Sequence, residues 1–357
     1  LRISGWVVQR GNEPMVWEER EESPGPGEVL VQVAGCGVCH TDLGFFYDGV
    51  PTRKDFPLTL GHEVSGTVVA AGQGAETWIG RQVIVPAVIP CGKCGACAAG
   101  RGSICPRQVF PGCDVHGGFA THLRVPSLGL CPLPNLGSLA NNPHHLDLAS
   151  LSVVADAVST PYQAIRRSGL ERGELAVFVG VGGVGGFGVQ IAAALGAAVV
   201  AIDISEERLA LTGAHGAALM LRADQLDFKA LRAAVKSFAA ERGIASWRQK
   251  LFETSGTPQG QSTAFGLLER GGYLSIVGFT PKKVELRLSN LMAMDAMAQG
   301  NWGCLPAHYP AIVDLILSGK VVLAPFIEPR PLSAINEVFP EVYQHKAARR
   351  VVLVPEG

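Results

Sequence analysis

Four of the chain's nine cysteines, Cys91, Cys94, Cys97 and Cys105, follow the spacing C-x2-C-x2-C-x7-C. They lie in a loop from Pro90 to Pro106 that is rich in glycine and short polar residues. Four thiolates close a tetrahedral shell around zinc and leave no position for a substrate, so this pattern predicts a structural metal. An iron–sulfur cluster would use the same ligand type, but the bacterial signature closes as C-x3-C-P and the last gap here is too long for it. Chance clustering of free thiols is the weaker reading, because exposed thiols are reactive liabilities.

A second constellation lies upstream, where Gly35-Cys36-Gly37-Val38-Cys39-His40-Thr41-Asp42 is followed by Gly61-His62-Glu63. Cys39 and His62 are too far apart for a zinc finger, and their separation suits ligands that converge from different strands or loops. A catalytic zinc needs three protein ligands and one open position for the substrate oxygen. Taken alone, the pair reads equally well as a buried thiol and a core histidine. Its neighbours favour the metal: Thr41 offers a hydroxyl that can pass a proton, and Asp42 a carboxylate that can orient a metal-bound imidazole. Cys36 has no such company and reads as core packing.

The third motif is Phe178-Val179-Gly180-Val181-Gly182-Gly183-Val184-Gly185, a G-x-G-x-x-G between an apolar strand and a helix. In that context the glycines allow a tight turn and close approach of a pyrophosphate, which the helix N-terminus receives with its free N–H groups. Gly180, Gly182, Gly183, Val184 and Gly185 are therefore candidate cofactor contacts. Asp203 ends the next apolar strand and is the expected ribose ligand. Its charge would repel a 2′-phosphate, and no arginine immediately follows it, so NAD is expected over NADP.

Elements must exist to carry these groups. Up to about Ser127 short strands alternate with Gly/Pro turns (3–8, 28–34, 64–70, 82–85 and 119–125), the pattern of an irregular β unit. A polar, proline-containing connection covers 132–147. From Glu174 apolar strands alternate with amphipathic helices, which predicts a parallel, doubly wound sheet. A helix over 307–318, a helical pattern over 334–345 and a strand over 349–354 read as a return to the first domain. The formal net charge of −1, with Lys and Arg scattered, gives no footprint for nucleic acid or an anionic membrane. No cleavable leader pattern and no apolar stretch able to span a bilayer are present, and clustered rather than distributed cysteines point to metal binding; a cytoplasmic enzyme is expected.

In their order along the chain these motifs resemble the zinc-containing medium-chain alcohol dehydrogenase family. The resemblance implies an α/β protein with a GroES-like β-rich catalytic domain (1–157 and 301–357) into which a Rossmann domain (158–300) is inserted. It implies NAD, two zinc ions per chain, and a homodimer or homotetramer. By resemblance Cys39 and His62 hold the catalytic zinc, His40 lies near the cofactor pyrophosphate, Thr41 begins a proton relay, and Glu63 is a carboxylate behind the metal. Arg350 aligns with a pyrophosphate-binding arginine, although a solvated strand end is nearly as good a reading. Two positions depart from the family. Asp156 stands where the third ligand is usually Cys, and either replaces it with a harder oxygen donor or caps the helix that follows. Gly44 stands where relatives carry a proton-relaying histidine. Within the family the resemblance extends to members that oxidise a ring alcohol beta to a CoA thioester. It is carried by Asp42 to Val50, Val153 to Ala164, Phe252 to Thr257 and Gly300 to Pro306, and it implies a CoA-ester substrate. Phe45, Phe46 and Tyr47 would suit an alicyclic ring, but buried aromatics are more often core. A general secondary alcohol or polyol dehydrogenase and a non-catalytic NAD-binding protein are the alternatives.

Overall fold

The computed structural model describes residues 1–356. Two compact units divide the chain: Leu1–Ser159 with Gly303–Gly319 and Phe326–Gly357 in one, Thr160–Trp302 with Lys320–Pro325 in the other. The short 320–325 segment joins the second unit although the sequence reads as having returned to the first. The cause is Gln190, whose side chain accepts from the Val322 N–H and donates to the Val322 carbonyl.

The first unit is built on a seven-stranded sheet whose central strand Glu28–Gly37 pairs antiparallel with Glu63–Ala71. Alternation along Glu28–Gly37 buries Val29, Val31 and Val33 in one core with Leu60, Val64, Phe119 and Phe339. The C-terminal strand Arg350–Val354 returns to this sheet and pairs with the far end of Glu28–Gly37. A two-stranded ribbon pairs Arg2–Val7 with Val16–Glu21. The latter has a mostly exposed, charged sequence, and no apolar alternation announces it.

The second unit carries a six-stranded, all-parallel sheet. Numbered within the unit, its strand order is 3-2-1-4-5-6, that of a Rossmann fold. Its first strand, Leu175–Val179, is buried at every residue, which is why the sequence is continuously apolar there: a parallel sheet is covered on both faces. Helix Phe228–Glu241 begins at Asp227, whose carboxylate accepts the Ala230 N–H, and buries Leu231, Val235 and Phe238 at helical spacing. Among the described residues no helix is long and apolar enough to cross a membrane.

Candidate zinc and cofactor sites

Cys39 ends the loop after the central strand and opens helix His40–Tyr47; its N–H donates to Asp42 Oδ2 at 3.0 Å. The other oxygen of Asp42 accepts from the Gly61 N–H and from His62 Nδ1, each at 3.1 Å. Gly61 is held at a φ of +99°, and a Cβ there would meet Cys36 Sγ and the Phe119 ring, so the turn before His62 requires glycine. With Nδ1 engaged, His62 Nε2 faces Asp156 Oδ2 at 3.6 Å, and Cys39 Sγ lies 3.8 Å from the same oxygen. Burial alone would lower the His62 pKa, but the Asp42 and Asp156 carboxylates outweigh it and hold it well above the usual value. A cation at this point would displace that proton.

The donor set fits zinc. Zn–S near 2.3 Å with Zn–N and Zn–O near 2.0–2.2 Å gives ligand–ligand edges of about 3.4–3.6 Å in a tetrahedron. The observed 3.6 and 3.8 Å are close to those edges. The potential ligand atoms of Cys39, His62, Glu63 and Asp156 all lie within 4.8 Å of one another.

Asp156 follows the 3-10 helix Ser150–Ala155 with φ −142° and ψ −56°, and the next helix starts only at Ser159. Its conformation is stabilised from a residue that the sequence did not single out. Tyr309, fully buried, donates its hydroxyl to the Ala155 carbonyl at 2.5 Å, and Ser159 donates to the same carbonyl at 3.1 Å. The only sequence signal was an aromatic residue with a polar tip at the start of a mostly apolar helix, Tyr309–Leu317.

Glu63 is fully buried and receives both Nε and Nη2 of Arg350, a bidentate pair. Burial pushes Glu63 up to about 7, against the pull of the Arg350 guanidinium. A Cβ on Gly37 would stand 2.0 Å from Glu63 Oε2, so the glycine makes room for the pair. Arg350 is thus a buried partner of Glu63 and not a solvated strand end. Cys36 lies in the core, where burial raises its thiol pKa. Thr41 Oγ1 is 3.7 Å from Cys39 Sγ, and His40 is exposed and stacked on His345. Phe45 and Phe46 are core residues packed edge-on against Phe110 and Phe339 respectively. Phe110 also lies with its ring centroid 4.9 Å from that of His62, a neighbour that no motif announced.

The four-cysteine loop converges as its spacing predicts: Cys94 Sγ is 3.4 Å from Cys97 Sγ and 3.6 Å from Cys105 Sγ, and Cys91 completes the group. Tetrahedral S₄ around zinc needs edges of about 3.8 Å. Backbone N–H groups, that of Lys93 foremost, pull Cys91 down to about 6, while burial and the neighbouring sulfurs push Cys97 up to about 11. Four thiols this close cannot all ionise unaided, and a divalent cation resolves the conflict.

In the second unit Gly180, at a φ of +88°, backs onto Ser255, and a Cβ on Gly185 would stand 2.0 Å from the Gly180 carbonyl. Both are packing glycines. Gly182 opens onto space edged by Arg208, as a residue beneath a pyrophosphate should. Gly183 and Val184 complete the turn into helix Gly185–Ala194. Asp203 accepts N–H bonds from Val181, Ile204 and Ser205 at 2.7–2.9 Å, which fixes its carboxylate at the strand end. Arg222, remote in sequence, stands beside it in the adjacent strand, but its guanidinium is taken by Asp224 and Glu206. Glu253 organises the loop beside Gly180 by accepting from Ser255 and Gly256, and Thr254 donates to the Gly180 carbonyl.

A dinucleotide-type parallel sheet in one unit and two zinc-compatible clusters in the other define the zinc dehydrogenase class of oxidoreductases. Residues 25–135 match the alcohol dehydrogenase GroES-like domain and residues 183–318 the zinc-binding dehydrogenase family. An alcohol dehydrogenase of Geobacillus stearothermophilus is 31% identical over 330 residues, covering 92% of this chain and 91% of that protein. The L-galactonate-5-dehydrogenase of Escherichia coli is 26% identical over 91% of each chain. The crystal structure of an alcohol dehydrogenase from Thermotoga maritima superposes with a TM-score of 0.86 at 26% identity, covering all of both chains. The chain belongs to the zinc-dependent medium-chain alcohol dehydrogenase family and is an oxidoreductase acting on CH–OH groups.

Proposed function

We propose that the protein is an NAD-dependent zinc dehydrogenase that oxidises 6-hydroxycyclohex-1-ene-1-carbonyl-CoA to the 6-oxo thioester, a step of anaerobic benzoyl-CoA degradation. In this reading it acts in the cytoplasm as a homodimer or homotetramer. The observation that carries the chemistry is the convergence of Cys39, His62 and Asp156, with Asp42 holding His62 Nδ1 so that Nε2 faces the other two donors. Cys39, His62 and Asp156 would hold the catalytic metal, and Cys91, Cys94, Cys97 and Cys105 the structural one. Zinc supplies Lewis acidity that lowers the alcohol pKa, and NAD supplies the hydride acceptor. Thr41, whose Oγ1 lies 3.7 Å from Cys39 Sγ, would receive the hydroxyl proton, and with glycine at 44 no side chain continues the relay there. Asp203 and the turn from Gly180 to Gly185 orient the dinucleotide. Asp203 favours NAD, and the acidic partners of Arg222 keep that cation from serving a 2′-phosphate.

The substrate rests on similarity of the segments Asp42 to Val50, Val153 to Ala164, Phe252 to Thr257 and Gly300 to Pro306. Phe45 and Phe46 add nothing to it, since both are spent in the core. A general secondary alcohol or polyol dehydrogenase is the second reading, favoured by the names of the alcohol and L-galactonate dehydrogenases it resembles. NADH formation with the CoA thioester, the free cyclic alcohol and L-galactonate separates the two. Turnover of the thioester well above the others supports the first, and equal or better turnover without CoA establishes the second. Light scattering of the active enzyme reports the subunit number.

A further inference from the structure

We infer that Tyr309 is a positioning residue of the catalytic metal centre, given the reading of Asp156 as a ligand of that metal, on which this rests. Through the Ala155 carbonyl Tyr309 sets where Asp156 stands, and thereby how tightly the site holds its metal. Helix Tyr309–Leu317 turns Tyr309, Ile312, Val313 and Ile316 into the core at helical spacing, and of these four only Tyr309 carries a polar side-chain atom. A buried phenol needs one acceptor, which any nearby carbonyl could provide. The hydroxyl ends on the carbonyl that immediately precedes Asp156, 154 residues away in sequence.

That carbonyl accepts three donors: the Tyr309 hydroxyl at 2.5 Å, the Ser159 hydroxyl at 3.1 Å and the Ala87 N–H at 3.4 Å. A carbonyl oxygen has two lone pairs and is satisfied by one bond, so three donors go beyond what burial of the backbone demands. On the far side of Asp156 the Val158 N–H closes onto the Val153 carbonyl at 3.0 Å. Between these two fixed points no helix holds Asp156, since the 3-10 helix ends at Ala155 and the next helix starts at Ser159. The peptide group is planar, so fixing the Ala155 carbonyl fixes the nitrogen and Cα of Asp156. Only the two side-chain torsions then separate the backbone from the oxygen that faces Cys39 and His62. Functional constellations have to be held to within about 0.5 Å, and a ligand on a loose loop would lose its freedom each time metal binds. Held from Tyr309, Asp156 loses that freedom once, on folding. Tyr309 gives the shortest of the three bonds, and it does so from the buried face of a helix.

The test is the zinc affinity of the full chain, titrated against a graded chelator series for the wild type, Tyr309→Phe, Asp156→Ala and the double variant, with the four-cysteine site as internal reference. Tyr309→Phe should weaken the metal at the Cys39 site by about tenfold, the lower end of the loss that follows removal of a group supporting a ligand, and leave the four-cysteine zinc unchanged. In the Asp156→Ala background the same substitution should have no further effect, because the residue through which Tyr309 acts is gone. Ser159→Ala removes a longer bond to the same carbonyl and should give a smaller loss in the same direction; it decides the question should Tyr309→Phe fail to fold. A hydroxyl that merely satisfies its own burial would lower the melting temperature and leave both zinc affinities at the wild-type value, and that result overturns the inference. An equal loss with and without Asp156 overturns it too. Wild-type zinc affinity in Asp156→Ala would remove the ligand assignment and the role of Tyr309 together, whereas loss in Asp156→Ala without loss in Tyr309→Phe would remove the role of Tyr309 alone.

Discussion

Replacing Asp156 by alanine tests the assignment on which the catalytic site depends. Its Oδ2 stands 3.6 Å from His62 Nε2 and 3.8 Å from Cys39 Sγ, within a few tenths of the edges that a zinc tetrahedron requires. Removing a group that merely supports a ligand costs about 10–100-fold in metal affinity. Removing the ligand itself should therefore cost at least about 100-fold, or roughly 2.7 kcal/mol. Glu63 is the only other carboxylate in the group, and it can replace Asp156 only by giving up its two bonds to Arg350. Were Asp156 only a helix cap, its loss would cost about 0.5–2 kcal/mol of fold stability and leave the metal in place. Zinc analysis after dialysis against a graded series of chelator concentrations reads the difference directly, with the four-cysteine site as an internal reference. We expect the wild type to retain two zinc ions per chain and Asp156→Ala to fall to one, with turnover lost and the melting temperature little changed. Asp156→Cys, which restores an anionic donor, should regain the second ion. An alanine variant that holds both ions with wild-type affinity would refute the assignment and leave Cys39 and His62 to be explained with Glu63 alone.

Four other outcomes are expected. Arg350→Ala strands a buried carboxylate and should destabilise the fold by about 3–5 kcal/mol in urea titrations, with much of that recovered when Glu63→Gln is added; full stability of the single variant would contradict the pairing. Asp203→Ser should weaken NAD binding by about tenfold, the scale of a charged hydrogen bond, and narrow the gap to NADP; equal use of both cofactors by the wild type would count against the role of Asp203. Burial, reinforced by Arg20, Lys54 and Arg124, lowers His116 to about 4, and its Nδ1 accepts the Thr59 N–H. Between the ordinary value of 6.5 and about 4 the unfolded chain therefore binds the extra proton, so this contribution is complete above pH 6.5 and is lost as the pH falls to about 4. Melting curves of His116→Asn, whose amide oxygen can still accept from Thr59, should fall less steeply across that window and match the wild type at pH 7.5; parallel curves would dismiss the effect. Cys94→Ser should lower the melting temperature and release one zinc ion while the metal at Cys39 stays, as element analysis would show.

The chemistry of this chain was legible where it depends on short-range spacing. C-x2-C-x2-C-x7-C confines four thiols to one loop, and G-x-G-x-x-G between strand and helix restricts the backbone to one kind of turn, so residue order alone nearly determined both sites. The parallel sheet was legible for a related reason, since strands covered on both faces must be continuously apolar. The charged ribbon strand Val16–Glu21 escaped because an exposed strand needs no such pattern. What only the tertiary structure decided is how distant groups are shared. Asp42 could be proposed as a partner of His62, but its grip on Cys39 and Gly61 as well is a product of the turn geometry. Arg350 read as a phosphate ligand, with a solvated strand end nearly as good a reading, and its pairing with Glu63, 287 residues away in sequence, came only with the placement of the C-terminal strand. Likewise the bond from the Tyr309 hydroxyl to Ala155 and the place of Arg222 beside Asp203 have no local signature. Hydrogen-bond partners of buried polar groups are chosen by whichever segments the core brings together, and a linear pattern carries that information only when both partners lie within the same turn or loop.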